Sequence, residues 1–102
     1  MKTNELTQSC LKFLKKVGIF AYRQNNIATQ GRRHNVHKGT PDIIAIYKGI
    51  FWGIEIKNAD TNDKQSIYQK EFQEQIELSG GIYTVVTCLD DLINVYNNMK
   101  VK

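Results

Sequence analysis

Two carboxylates and a lysine, Asp42, Glu55 and Lys57, stand at the ends of two short apolar runs, Ile43 to Tyr47 and Ile50 to Ile56. Both runs are β-branched and aromatic and of strand length, and only Lys48-Gly49 separates them, which predicts a β-hairpin with a two-residue loop. Such a loop fixes the register: Tyr47 faces Ile50, Ile46 faces Phe51, Ile44 faces Gly53, and Asp42 faces Glu55. Side chains directly opposite lie roughly 4.5–5.5 Å apart at Cβ, where like charges repel. Lys57, two residues beyond Glu55, points to the same face. Two carboxylates and an ammonium thus meet at one end of an otherwise apolar hairpin. The opposite face pairs Ile43 with Ile54 and Ala45 with Trp52, so the hairpin belongs in the middle of a sheet covered on both sides. Burying these charges unpaired costs several kcal/mol per ion. A bound cation offsets that cost, and an all-oxygen donor set suits Mg²⁺ or Mn²⁺ better than Zn²⁺. A divalent cation beside a lysine is an arrangement suited to phosphodiester hydrolysis.

Pro41-Asp42, a spacer, and Glu55-Ile56-Lys57 resemble the PD-(D/E)XK nuclease signature. The flanks Gly39-Thr40-Pro41-Asp42, Gln69 with Phe72, and Gly80-Gly81 before a last apolar run resemble the VRR-NUC family within it, along essentially the whole chain. The resemblance implies a stand-alone, virus- or phage-type member, a Mg²⁺- or Mn²⁺-dependent endodeoxyribonuclease. It implies that Asp42, Glu55 and the Ile56 carbonyl hold the metal, that Lys57 serves the attacking water and the phosphate, and that Gln69 belongs to the catalytic set. It also brings in Glu5, since the family's first helix often carries a glutamate to the metal. Read from its position alone, Glu5 is a carboxylate well placed at a helix N-terminus.

The elements that must position these groups follow from periodicity. Leu6, Cys10, Phe13, Leu14 and Val17 recur at helical spacing and predict a helix from about residue 4 to 17, capped by Thr3 or Asn4 and stopped by Gly18. Lys12, Lys15 and Lys16 lie largely off that stripe, as a solvated face would. Ile19 to Arg23 reads as a strand at or near the sheet edge. From Gln24 to Lys38 the sequence is polar, a surface loop of about fifteen residues, and loops of that length are functional or disordered. Arg32, Arg33 and Lys38 in it, with Arg23 just before it, are the candidates for phosphate contacts, because guanidinium groups bind phosphate through paired hydrogen bonds. The competing reading is a solvated basic loop. His34 and His37 are assigned no metal.

A second helix is expected from Gln65 or Ser66 to Ser79. It puts Gln69, Phe72 and Ile76 on one face, so the Gln69 amide points inward and must find partners. It either ties down a strand end or orients Lys57 or a water. Gly81 to Val86 reads as a strand parallel to the Glu55 strand through a right-handed crossover. Leu89, Leu92, Ile93 and Tyr96 give a closing helix, with Asp90 and Asp91 in its first turn for the helix dipole.

The expected fold is α/β, a mixed four-stranded sheet flanked by helices on both faces in the order α-β-β-β-α-β-α, as one nuclease domain over residues 1–102. At 102 residues the chain has room for one core and few accessories. Charged residues make up 24% and hydrophobic ones 41%, ordinary for a globular protein. The net charge of +4 is compatible with nucleic acid. The sequence contains no apolar stretch of about 18 residues and no apolar signal core, which predicts a cytoplasmic protein. Cys10 and Cys88 are expected as buried thiols. Two other classes compete with a nuclease. A pure nucleic-acid binder has no reason to keep Asp42, Glu55 and Lys57 together, and a small-molecule enzyme needs a closed pocket that so short a chain can hardly spare. DNA, branched or duplex, is the expected partner. A homodimer acting on four-way (Holliday) junctions is the expected working form, because two related nicks match a two-fold axis, and because Phe20, Tyr22, Ile27 and Tyr96 are apolar groups that a small monomer leaves uncovered.

Overall fold

The computed structural model describes residues 3–24, 39–59 and 65–101. In chain order the elements are α1 (Thr3–Lys16), β1 (Phe20–Arg23), β2 (Ile43–Tyr47), β3 (Ile50–Ile56), α2 (Ile67–Leu78), β4 (Ile82–Val86) and α3 (Leu89–Lys100). The four strands form one sheet in the order β1-β2-β3-β4. The first three are antiparallel, and β4 runs parallel to β3 after the α2 crossover. This is the expected α/β architecture, with the hairpin at its centre.

The hairpin register is the one the two-residue loop dictates: Tyr47 pairs with Ile50, Ile46 with Phe51, Ala45 with Trp52, Ile44 with Gly53 and Ile43 with Ile54. Lys48 and Gly49 both take positive φ, 49° and 81°, as a type I′ loop requires. Strand alternation then separates two faces. On one, Ile43, Ala45, Trp52, Ile54, Ile56 and Val86 pack with Leu6, Cys10 and Leu14 of α1 and Leu92 of α3 into the main core. Trp52 is fully buried and its indole N–H donates to Thr84 Oγ1 at 3.0 Å, so the ring's one polar atom is satisfied. The other face carries α2, whose Ile76 is buried and lies within van der Waals reach of Gly53 and Gly81.

Several local expectations are corrected. Thr3 and Asn4 lie inside the first turn of α1 and do not cap it; the Asn4 carboxamide oxygen instead accepts a bond from Arg23 Nη1 at 2.7 Å. Cys10 is buried, but Cys88 is exposed, because it is the residue before α3 and not part of that helix's apolar face. Burial pushes the Cys10 thiol up to about 11, with the negative charges of Cys88 and Asp91 adding to it. The closing helix runs on to Lys100, since Met99 also packs against the core. Tyr96 is likewise packed, edge-on to Phe13 and Tyr47 at 5.5 and 6.4 Å between ring centroids, and so is not an uncovered group. No helix among the described residues is long and apolar enough to cross a membrane.

Candidate active site

Register places the chemistry on the α2 face. Glu55 alternates with Gly53 on β3, and Lys57 follows it by two. Asp42 stands one residue before β2, where its carbonyl still accepts from Gln24 N at 2.7 Å and so continues the β1–β2 ladder. Pro41, which has no N–H, ends that ladder. The amide of Ile56 therefore points past the end of β2, and the Asp42 carboxylate takes the place of the missing strand, accepting that N–H at 2.8 Å. Asp42 is thereby pinned against the neighbour of Glu55.

Glu55 is 4% and Lys57 8% exposed, and neither is left without a partner. Glu55 Oε2 accepts from Gln69 Nε2 at 2.8 Å and lies 3.9 Å from Lys57 Nζ. Lys57 Nζ donates to Gln69 Oε1 at 2.9 Å. One glutamine amide thus bridges the acid and the base, and both bonds demand the same orientation of its oxygen and nitrogen. Gln69 Oε1 also accepts from Ser66 N at 2.8 Å, while Ser66 Oγ accepts from Gln69 N at 3.1 Å. This is a capping box that starts α2 and fixes the rotamer of the bridging amide at the same time. Gln69 is expected either to tie down a strand end or to orient Lys57 or a water; its amide closes the start of α2 and bonds both Glu55 and Lys57. The Ser66-x-x-Gln69 spacing that builds this box is visible in the sequence.

α2 can bring Gln69 this close because two glycines leave room for it and for Pro41. A Cβ on Gly39, whose φ is +83°, would collide with the carbonyl of Tyr68 and come within 2.7 Å of Gln69 N. A Cβ on Gly53 would meet Pro41 Cγ at 2.6 Å and Ile76 Cδ1 at 3.3 Å. Gly39, Pro41 and Gly53 thus form the seat of the helix that carries Gln69, a packing role that the sequence does not announce.

The remaining candidates are not gathered here. Glu5 is exposed in the first turn of α1, and α1 packs on the opposite face. Among the described residues no group of three or more His, Cys, Asp and Glu side chains could hold a metal ion, so Asp42 and Glu55 form a pair that Glu5 does not join. Arg23 is exposed on β1 and bonded to Asn4. Arg32, Arg33, Lys38, His34, His37 and Ile27 lie outside the described residues.

Two solved structures share this architecture. One described as "VRR_NUC domain" aligns with a TM-score of 0.68 at 19% identity, over 93% of this chain and 94% of its own. Another, "VRR_NUC domain protein", aligns with a TM-score of 0.73 at 23% identity, over 95% of this chain and 86% of its own. The fold is that of a VRR_NUC domain. By sequence, no family model and no curated protein matches the chain, so the VRR_NUC likeness lives in the element order and the sheet. At such identities the likeness speaks for architecture, and the chemistry must be argued from the residues.

The donor chemistry is that suited to a hard divalent cation: two carboxylates, one of them buried, anchored by an amide of β3 and a side chain of α2.

Proposed function

We propose that this chain is a divalent-metal-dependent DNA endonuclease of the PD-(D/E)XK kind. The observation that carries this reading is the Glu55–Gln69–Lys57 bridge beside the pinned Asp42, all on one sheet face. A binding module gains nothing from burying a carboxylate and an ammonium 3.9 Å apart, at a desolvation cost of several kcal/mol per ion. Asp42, Glu55 and the Ile56 carbonyl would hold Mg²⁺ or Mn²⁺, without Glu5, which is exposed on α1. When bound, the cation would polarise the phosphoryl oxygen and acidify the attacking water. The protein's own part is positional and electrostatic. Asp42 and Glu55 are held by a backbone amide and a glutamine, so they cost little reorganisation at the moment of reaction. Lys57, fixed by Gln69, presents a positive charge where the phosphate gathers negative charge.

DNA is the substrate in this reading, with Arg32, Arg33, Lys38 and Arg23 supplying phosphate contacts. Replacing Arg32 and Arg33 by Ala should weaken binding about equally across sequences and make its salt dependence shallower. A sequence-selective loss at unchanged salt slope would mean base readout instead. The finer proposal is a homodimer that resolves branched DNA such as a Holliday junction. What favours it is Phe20 (69% exposed), Tyr22 (46%) and Ile46 (40%), adjacent on one face of β1 and β2. Light scattering and a panel of duplex, flap and junction substrates test it. A monomer that cuts junction and linear duplex equally well removes the resolvase and leaves a non-specific nickase. The decisive experiment for the function is plasmid cleavage with Mg²⁺, Mn²⁺ or EDTA, using Lys57→Ala as control. Cleavage that survives EDTA, or that Lys57→Ala leaves unchanged, defeats the proposal.

A further inference from the structure

Tyr83 plays no part in the site built above, yet it lies on the same sheet face. Pairing of Gly53 with Tyr83 and of Glu55 with Val85 sets its ring beside Gly53 and beneath α2. The residue is 8% exposed, and its hydroxyl is buried without a hydrogen-bond partner among the described residues. Leaving a hydroxyl so costs about 1–3 kcal/mol, and a phenylalanine would fill the same space without that cost. Gln65, just before the cap of α2, is the side chain beside the hydroxyl and acts on it electrostatically, but outside hydrogen-bonding geometry; its amide nitrogen donates to Gln73 Oε1 at 2.9 Å. The hydroxyl therefore points to the N-terminal end of α2, the end where Gln69 meets Glu55 and Lys57. Burial pushes the phenol up to about 12; Gln65 pulls the other way, and the charges of Glu55 and Asp42 raise it further. It stays a neutral donor at any working pH.

We propose that Tyr83 is a positioning residue of the site, its hydroxyl donating through one buried water to the Glu55 carboxylate. Tyr83, Gln65 and Glu55 give such a water the two to four polar partners it needs. The hydroxyl is too deeply buried to touch DNA, so it acts through Glu55, in the way outer groups orient a ligating carboxylate. The inference rests on the nuclease reading above.

Tyr83→Phe tests it, because the ring and the packing stay. Thermal unfolding without metal, Mn²⁺ binding by calorimetry, and kcat and KM on plasmid are measured together. The expected result is an unfolding temperature slightly below wild type, because the bridging water loses a partner, with Mn²⁺ affinity down about tenfold and kcat down at unchanged KM for DNA. Recovery of kcat at saturating Mn²⁺ also supports it, since it assigns the loss to cation binding. Unchanged Mn²⁺ affinity and kcat would make Tyr83 a core filler and overturn the inference. A raised KM with normal kcat would put the hydroxyl on DNA and overturn it too. If wild type itself neither binds Mn²⁺ nor cleaves, the nuclease reading fails and this one with it; wild-type binding matched by the variant sinks this one alone.

Discussion

The two faces of the sheet are built on opposite terms, though the same strands make both. On the α1/α3 face every inward group is apolar or satisfied in pairs, and Leu14, Ile43, Ala45, Trp52, Ile54, Val86 and Leu92 are fully buried. On the α2 face Pro41, Ile44 and Ile76 are buried too, but beside them lies a polar cluster, Glu55 and Lys57 met by Gln69, with Tyr83 next to Gly53. One face stabilises the fold, and the other uses that stability to hold charges that would not stay together by themselves. Period-two alternation is what allows a chain of 102 residues to do both: Ile54 and Ile56 belong to the core, and Glu55 between them belongs to the site.

Removing charge from the α2 face should have the largest consequence for activity. Lys57→Ala should cost cleavage several kcal/mol of transition-state stabilisation with Mn²⁺ binding retained, as calorimetry can show. Loss of metal binding as well would make Lys57 structural. Asp42→Asn should also abolish cleavage, yet raise the metal-free unfolding temperature by relieving repulsion with Glu55. Glu55→Gln should abolish cleavage without that gain, because it leaves the buried ammonium of Lys57 beside a neutral amide. A parallel rise in both variants would mean that Lys57 does nothing to hold Glu55.

On the core face the balance reverses. Trp52→Ala should cost about 3–5 kcal/mol of stability and strand the Thr84 hydroxyl, and denaturant unfolding would read it directly. Any cleavage it retains below its own midpoint should proceed with normal Mn²⁺ affinity. Next in size comes the seat of α2. Gly53→Ala must displace the Pro41 ring or the Ile76 methyl, an overpacking cost of about 1–3 kcal/mol. It should also lower kcat by shifting Gln69 away from Lys57. A stability loss with kcat intact would show that the helix moves as a unit and takes the site with it.

How much of this could be read beforehand depends on which interactions are local. The hairpin register followed from two loop residues, and the inward face of Gln69 from helical spacing, because each is fixed within a few residues along the chain. The Gly39–Tyr68 and Gly53–Pro41 contacts and the placement of Tyr83 under α2 join elements distant in sequence, and no periodicity reports them. Cys88 reads as buried from Val86 and Leu89 close by, whereas as the residue before α3 it lies outside that helix's apolar face and is exposed. Tyr96 reads as uncovered for a related reason: its two ring partners, Phe13 and Tyr47, come from elements far away in the chain.

The smallest expected effect lies at the start of α3, where no site chemistry is at stake. Thr87 N and Thr87 Oγ1 both donate to Asp91 Oδ2, at 2.8 and 2.9 Å. The backbone bond from Thr87 is the main reason the Asp91 carboxyl is held below its ordinary value, with burial opposing it and the Thr87 hydroxyl helping. Because the folded value is depressed, the carboxylate's contribution is fully present above the unfolded carboxylate range and is lost as pH falls through the lower, folded value. The group is largely solvent-screened, so that contribution stays below about 1 kcal/mol. Asp91→Ala should therefore lower the unfolding temperature slightly at neutral pH, and the gap from wild type should close as pH drops below the carboxylate range. Cleavage at neutral pH should not change, since α3 lies against the core face. A variant gap that persists undiminished in acid would assign the effect to lost helix packing and not to the charge. A change in cleavage would mean that the two faces are coupled after all.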